Sequence, residues 1–189
     1  MKLSVVIPCY NEVDTIEKVL DRVLSVGLAD EVVIVDDGSS DGTRDVLHQM
    51  QDEGREGVRI IFHEQNKGKG AALVTGFAAA AGDILLIQDA DLEYDPNDYQ
   101  RLLQPILSGD ADVVYGSRFA NSTHRRVLFF WHTLGNKFLT LLSNILTDLN
   151  LTDMETCYKM ARASILKSIP IRSNRFGIEP EITAKLAKR

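Results

Sequence analysis

The sequence predicts an α/β domain, a mostly parallel central sheet covered by helices in a three-layer α/β/α arrangement. Three observations carry this. Five short apolar runs alternate with segments of helical periodicity over residues 1–118. The runs are apolar at nearly every position, the pattern of strands buried on both faces. Polar residues gather just behind the runs, where right-handed crossovers bring all parallel strand ends to one edge.

The elements follow in order. "LSVVIP" is the first strand, and Ile16, Val19, Leu20, Val23 and Leu24 form the stripe of the first helix, with Asp14 and Glu17 suited to cap its start. "EVVIVDD" is the second strand, followed by a helix from about 41 to 50. "VRIIFH" is the third, followed by an Ala-rich helix near 70–81. "DILLIQD" and "DVVYG" are the fourth and fifth, with a helix around 99–107 between them. After residue 120 the alternation fails. "RRVLFFWHTLGNKFLTLLSNILTDL" reads as one long helix, apolar on a broad face and basic at its start, and little periodicity returns until a last helix after Pro180.

The chain of 189 residues reads as a single domain, in which 1–118 form one half and 119–189 the other. A net charge of −6 disfavours unspecific nucleic-acid binding. Cys9 and Cys157 form no CxxC pair, and His48, His63, His124 and His132 have no zinc spacing, so a reduced, cytoplasmic protein is expected. No run has the length of a transmembrane helix. "EITAKLAKR" stops inside a helical pattern without a cap, so the natural chain is expected to continue beyond Arg189.

Four strand ends converge on one crevice: Pro8–Glu12, Asp36–Ser40, Asp89–Asp91, and Ser117 with Arg118. In "IQDADLEYD", Asp89 and Asp91 stand two residues apart, so on an extended chain they share a side, roughly 6.6 Å apart. Their repulsion is about 2–3 kcal/mol at an effective dielectric of about 20. A divalent cation with oxygen preference, Mg2+ or Mn2+, turns that repulsion into a binding site; capping of the loop before Pro96 is the other reading of the same spacing. Asp36 and Asp37 are adjacent and point to opposite sides, so each is expected to have its own role. "DDGSSDGT" is rich in turn formers. "NKGKGAA" lacks the Walker spacing and reads as a helix start with close packing. Arg118 ends a strand where a planar guanidinium suits phosphate oxygens. Arg125 and Arg126 beside Phe129, Phe130 and Trp131 suit either packing or a bilayer interface.

Together, "VVIPCYNE", "VVIVDDGSSDGT", "NKGKGAAL", "LLIQDADLEYDP" and "VVYGSRF" strongly resemble inverting family 2 glycosyltransferases of the GT-A (Rossmann-like) fold. "LTDMETCYKM" and "RFGIEPEITAKLAK" are similar to the polyprenyl-phosphate branch, the dolichol-phosphate mannose synthase-like enzymes. The resemblance covers nearly the whole chain. It implies that Pro8, Tyr10 and Glu12 line a nucleotide pocket and that Val35 and Asp37 hold the base or ribose. Asp89, Ala90 and Asp91 become the DxD segment, with Gln88 beside it and Mg2+ or Mn2+ bridging the diphosphate. Arg118 faces phosphate, Arg125 or Arg126 helps to hold an acceptor phosphate, and Asp153 lies near the reacting centre. The implied substrates are a UDP- or GDP-hexose and a polyprenyl phosphate, the implied placement peripheral on the cytoplasmic face of the membrane. Family members usually continue into a further strand and a basic segment that closes over the donor phosphates; residues 1–189 end before it.

The implied chemistry is displacement at the anomeric carbon, with catalytic roles for Asp91, Asp153 and Arg118. A lipid phosphate attacks as an anion and needs no strong base, whereas a hydroxyl acceptor, as in polysaccharide synthesis, requires a carboxylate such as Asp153 or Asp91. A haloacid-dehalogenase-type phosphatase is disfavoured, since Gly38 stands where its second aspartate belongs and Glu93 where Thr or Val belongs. A non-catalytic nucleotide-sugar-binding domain is the remaining alternative.

Overall fold

Strand β1 (Leu3–Cys9) is buried along nearly its whole length and pairs in parallel with two neighbours, which makes it the axis of the sheet. In the computed structural model, which describes residues 1–119, 129–175 and 177–189, β2 (Glu31–Asp36) lies on one side of it and β4 (Ile84–Ile87) on the other. Val5 stands opposite Val32 of β2 and Leu86 of β4. β3 (Val58–Phe62) extends the sheet beyond β2 in the same direction. The full order is β3-β2-β1-β4-β6-β5. Strand order reverses between β1 and β4, so a crevice opens at their C-terminal ends.

Both faces of β1 and β4 are covered, so the sheet is the middle layer of three, and a mostly parallel α/β sheet is what the structure contains. The helices are α1 (Ile16–Ser25), α2 (Thr43–Glu53), α3 (Lys69–Ala79), α4 (Tyr99–Leu107), α5 (Phe130–Thr147), α6 (Ala163–Ser168) and α7 (Ile178–Leu186). α1 buries Ile16, Val19, Leu20 and Val23, the expected stripe. Its cap differs from expectation. Thr15 is the N-cap with no side-chain capping bond, and Glu12 supports the turn instead: its carbonyl accepts from Thr15 N and Ile16 N, and its carboxylate from the Thr15 hydroxyl at 2.6 Å.

Two elements escape the sequence reading. β6 (Lys159–Arg162) runs antiparallel between β4 and β5 (Val113–Tyr115), and α6 follows it directly. β6 carries a cation at each end and shows no alternation, yet Lys159 is only 2% exposed. Because β4 and β5 are both antiparallel to β6, β5 still delivers Arg118 to the same edge as the other ends.

The long helix is α5, beginning at Phe130 among the described residues; Arg125 and Arg126 lie outside them. Thr140 is its one buried residue, and Phe129, Phe130, Trp131, Phe138, Ile145 and Leu146 stand largely in solvent. No helix among the described residues is long and apolar enough to cross a membrane.

α3 approaches the sheet more closely than a side chain allows. A Cβ on Gly76 would lie 2.3 Å from Val6 Cγ1 and 3.4 Å from Val35 Cγ2. The glycine is therefore a packing requirement. Gly76→Ala is expected to destabilise the fold by about 1–3 kcal/mol through overpacking, measured by urea denaturation.

Candidate functional site

Each strand end is tied to the next by polar contacts. After β1, Asn11 takes a left-handed conformation (φ +56°), and its amide donates to Ser39 Oγ at 3.0 Å while its side-chain carbonyl accepts from Ser40 N at 2.9 Å. Glu12 N donates to Thr43 Oγ1 at 2.8 Å. The β1 and β2 loops thus hold each other.

Asp36 and Asp37 face opposite ways, as adjacent residues on a strand must. Asp36, fully buried, pairs with Arg44 Nη2 at 2.9 Å and Nε at 3.0 Å. Asp37 accepts from Lys67 N at 3.0 Å and Gly68 N at 2.6 Å, and meets His63 Nδ1 at 2.7 Å. His63 Nε2 in turn meets Thr75 Oγ1 at 2.9 Å. Asp37 therefore shapes the loop before α3 while lining the crevice. Sequence reasoning did not single out His63, a histidine with no metal spacing.

At the end of β4, Gln88 is buried below the loop. Its Oε1 accepts from Tyr99 OH at 2.7 Å and Tyr158 OH at 2.9 Å, and its Nε2 donates to Asp89 O at 2.9 Å. This fixes the backbone from which Asp89 and Asp91 project. Burial pushes the Asp91 carboxyl above its ordinary value, and the neighbouring carboxylates of Asp89 and Glu93 add to that push, against the Glu93 N–H bound to Asp91 Oδ1 at 2.9 Å.

A cavity of about 650 Å³ opens between the β1 and β4 ends. Pro8, Tyr10, Glu12, Asp37, Asp89, Ala90 and Asp91 line it together, as do Asn66, Lys69 and Arg175, which sequence reasoning missed. Lys69 stood in "NKGKGAA", weighed there for its glycines; Arg175 lies in a stretch without periodicity. Val35 is fully buried in β2 and packs in the core.

Arg118 and Asp153 meet each other. Arg118 donates to Asp153 through Nε at 2.8 Å, Nη2 at 3.0 Å and its backbone N at 3.0 Å, and Asn136 Nδ2 adds a fourth bond at 3.1 Å. Asp153 is 1% exposed, so the pair is anchored at its acidic end while Arg118 keeps a partly open guanidinium.

Among the described residues no three His, Cys, Asp or Glu side chains form a metal cage. Asp89 and Asp91 offer two carboxylates, a donor set that suits a hard cation keeping waters and taking further oxygens from a diphosphate. A cation already stands there: Lys69 Nζ is 2.9 Å from Asp89 Oδ1. The residues fit the metal.

The family model described as glycosyl transferase family 2 matches residues 4–169. The chain belongs to this family. Among its relatives, a dolichol-phosphate mannosyltransferase of Pyrococcus furiosus is 29% identical over 189 residues, covering 98% of this chain and 53% of its own. An undecaprenyl-phosphate mannosyltransferase of Micrococcus luteus is 30% identical over 204 residues, covering 100% and 80%. A glucosyl-3-phosphoglycerate synthase of Mycobacterium tuberculosis, solved with Mn2+, UDP-glucose and phosphoglyceric acid, superposes with a TM-score of 0.76 at 25% identity, over 100% of this chain and 66% of that one. The chain thus spans about half the length of the Pyrococcus relative. The GT-A fold expected from the motifs is the fold of this family 2 chain.

Near the crevice Lys159 is buried with its Nζ donating to Thr156 O and lying 5.1 Å from the Tyr115 ring. Burial pulls its ammonium down to about 8, against the attraction of Glu179. A folded value below the unfolded one means that the unfolded chain holds more protons between the two. The cost of burying the charge is complete below pH about 8 and fades as pH rises toward about 10.5. Lys159→Met is therefore expected to be more stable than the parent at pH 7, by up to about 3 kcal/mol, and the difference should shrink across that window in urea denaturation.

Proposed function

We propose that this chain transfers a hexose, with inversion, from a UDP- or GDP-hexose to a polyprenyl phosphate, with Mg2+ or Mn2+ at Asp89 and Asp91. The observation that carries the reading is the pairing of those two carboxylates with Tyr10, Glu12 and Asp37 across one cavity at the β1–β4 switch point. Pro8, Tyr10 and Glu12 hold the nucleotide; Asp37 holds base or ribose from within the loop that it fixes. Val35 backs that wall from the core, and Gln88 fixes the Asp89 backbone.

Asp89 and Asp91 would hold a divalent cation, which when bound would supply Lewis-acid charge toward the diphosphate, worth several kcal/mol. Arg118, held by Asp153, presents fixed positive charge to phosphate without reorganisation. Asp153 is a positioning residue in this scheme: its oxygens already accept four bonds, which leaves it poorly placed to take a proton. With Asp153 so engaged and Asp91 assigned to the cation, neither carboxylate is free to take a proton, which favours an acceptor arriving as an anion, a lipid phosphate, over a neutral hydroxyl. Arg125 and Arg126, which lie outside the described residues, are proposed as further phosphate contacts. The exposed apolar row of α5, with Phe130, Trp131 and Phe138, is proposed to rest against the bilayer that holds the lipid, on its cytoplasmic face.

A hydroxyl acceptor is the second reading. The favouring observation is the resemblance to the M. tuberculosis synthase solved with phosphoglyceric acid.

UDP- and GDP-hexoses offered with Mn2+ to polyprenyl phosphate in vesicles test both. Transfer to the lipid phosphate is expected, abolished by EDTA, and slowed at least about 100-fold by Asp91→Asn. Transfer confined to phosphoglyceric acid or another hydroxyl acceptor would overturn the lipid reading, and no transfer from any donor would overturn the enzyme.

A further inference from the structure

The cation site extends beyond its two aspartates. Lys69, the first residue of α3, places Nζ 2.9 Å from Asp89 Oδ1 and 2.9 Å from Glu179 Oε1. All three side chains are sheltered, with 23%, 23% and 11% exposure for Lys69, Asp89 and Glu179. One ammonium is thus shared between a carboxylate of the β4 loop and a carboxylate from the first turn of α7.

The sharing is built into the backbone. Gly70 N donates to Asn174 O at 2.9 Å, so the segment entering α7 is tied to the start of α3. A Cβ on Gly68 would stand 2.1 Å from Asn174 O, and one on Gly70 1.9 Å from Ser173 O, so only glycine permits this approach. Glu181 accepts from Arg172 N at 2.8 Å and Ser173 N at 2.6 Å, which holds the same segment from the other side. α7 is therefore fixed at a height where Glu179 can reach Lys69 and nothing need move to bring them together.

An ammonium and a divalent cation on one carboxylate repel each other, so the two compete for Asp89. Because Lys69 already touches Glu179, leaving Asp89 costs it one contact and leaves it paired. We propose that Lys69 is the resident counter-cation of Asp89 and that Glu179 is the positioning residue that retains Lys69 when a divalent cation takes its place. This rests on the reading of Asp89 and Asp91 as the metal ligands. Glu179 then governs cation affinity from outside the coordination sphere, through Lys69.

Mn2+ titration followed by the electron paramagnetic resonance of the free ion, without nucleotide, tests this on the full chain. Lys69→Met removes the competitor and is expected to bind Mn2+ at least threefold more tightly than the parent. Glu179→Gln leaves the ammonium with Asp89 as its sole anionic partner among the described residues and should bind at least fivefold more weakly. In the double variant the effect of Glu179→Gln should disappear, leaving affinity within about twofold of Lys69→Met, the signature of action through the lysine. Lys69→Arg, which preserves the charge, should stay near the parent, and Lys69→Gln removes the charge if Lys69→Met does not fold. A Lys69→Met protein that binds Mn2+ no more tightly, or a Glu179→Gln effect undiminished in the double variant, would overturn the inference. Failure of the underlying reading looks different: the parent would bind no Mn2+, or Asp89→Asn and Asp91→Asn would bind it as the parent does.

Discussion

Parallel pairing of β1 with both β2 and β4 is the constraint on which the rest of the molecule depends. Three strands in one direction must end at one edge, and crossover helices must cover both faces. The change of strand order between β1 and β4 keeps their outgoing loops from closing over each other. The cavity is the space so left. Its floor is apolar strand and helix, including Ala72, and its rim is whatever the loops carry.

The strand ends around that rim carry many carboxylates, and most have a specific partner. Buried beside the cavity, Asp36 has Arg44 and Asp153 has Arg118, while Asp37 in its lining has two backbone amides and a histidine ring. Such partners make buried charge tolerable. Asp89 and Asp91 are treated differently. Among the described residues, Asp89 shares the ammonium of Lys69 with Glu179, and Asp91 accepts from one backbone donor, its carboxyl held above the usual range by burial. Unbalanced negative charge at the mouth of a cavity is what a divalent cation relieves.

Much of this was legible because it follows from period and spacing. The apolar runs placed β1 to β5, and the helical stripes placed α1 to α4 to within a few residues. Adjacency alone separated the roles of Asp36 and Asp37. β6 was not legible, since Lys159 and Arg162 break any apolar pattern and its burial is decided by the strands that flank it. The α1 start departs from expectation because Glu12, a residue of the preceding loop, takes the role expected of Asp14 and Glu17. Lys69 and Glu179 meet only through the packing of α7 on α3, a contact between segments remote in sequence. Arg118 and Asp153 were each named singly; that they bind each other required coordinates.

The central claim is that the crevice takes a diphosphate through a divalent cation. Thermal unfolding with UDP or GDP, in Mn2+ and in EDTA, tests it most directly. At about 100 times Kd a ligand stabilises by about 2.7 kcal/mol, which for a domain of this size is a rise in Tm of roughly 5–10 °C. The account predicts that rise for at least one of the two nucleotides in Mn2+ and its loss in EDTA. An equal rise in EDTA, or none with either nucleotide in Mn2+, would contradict it.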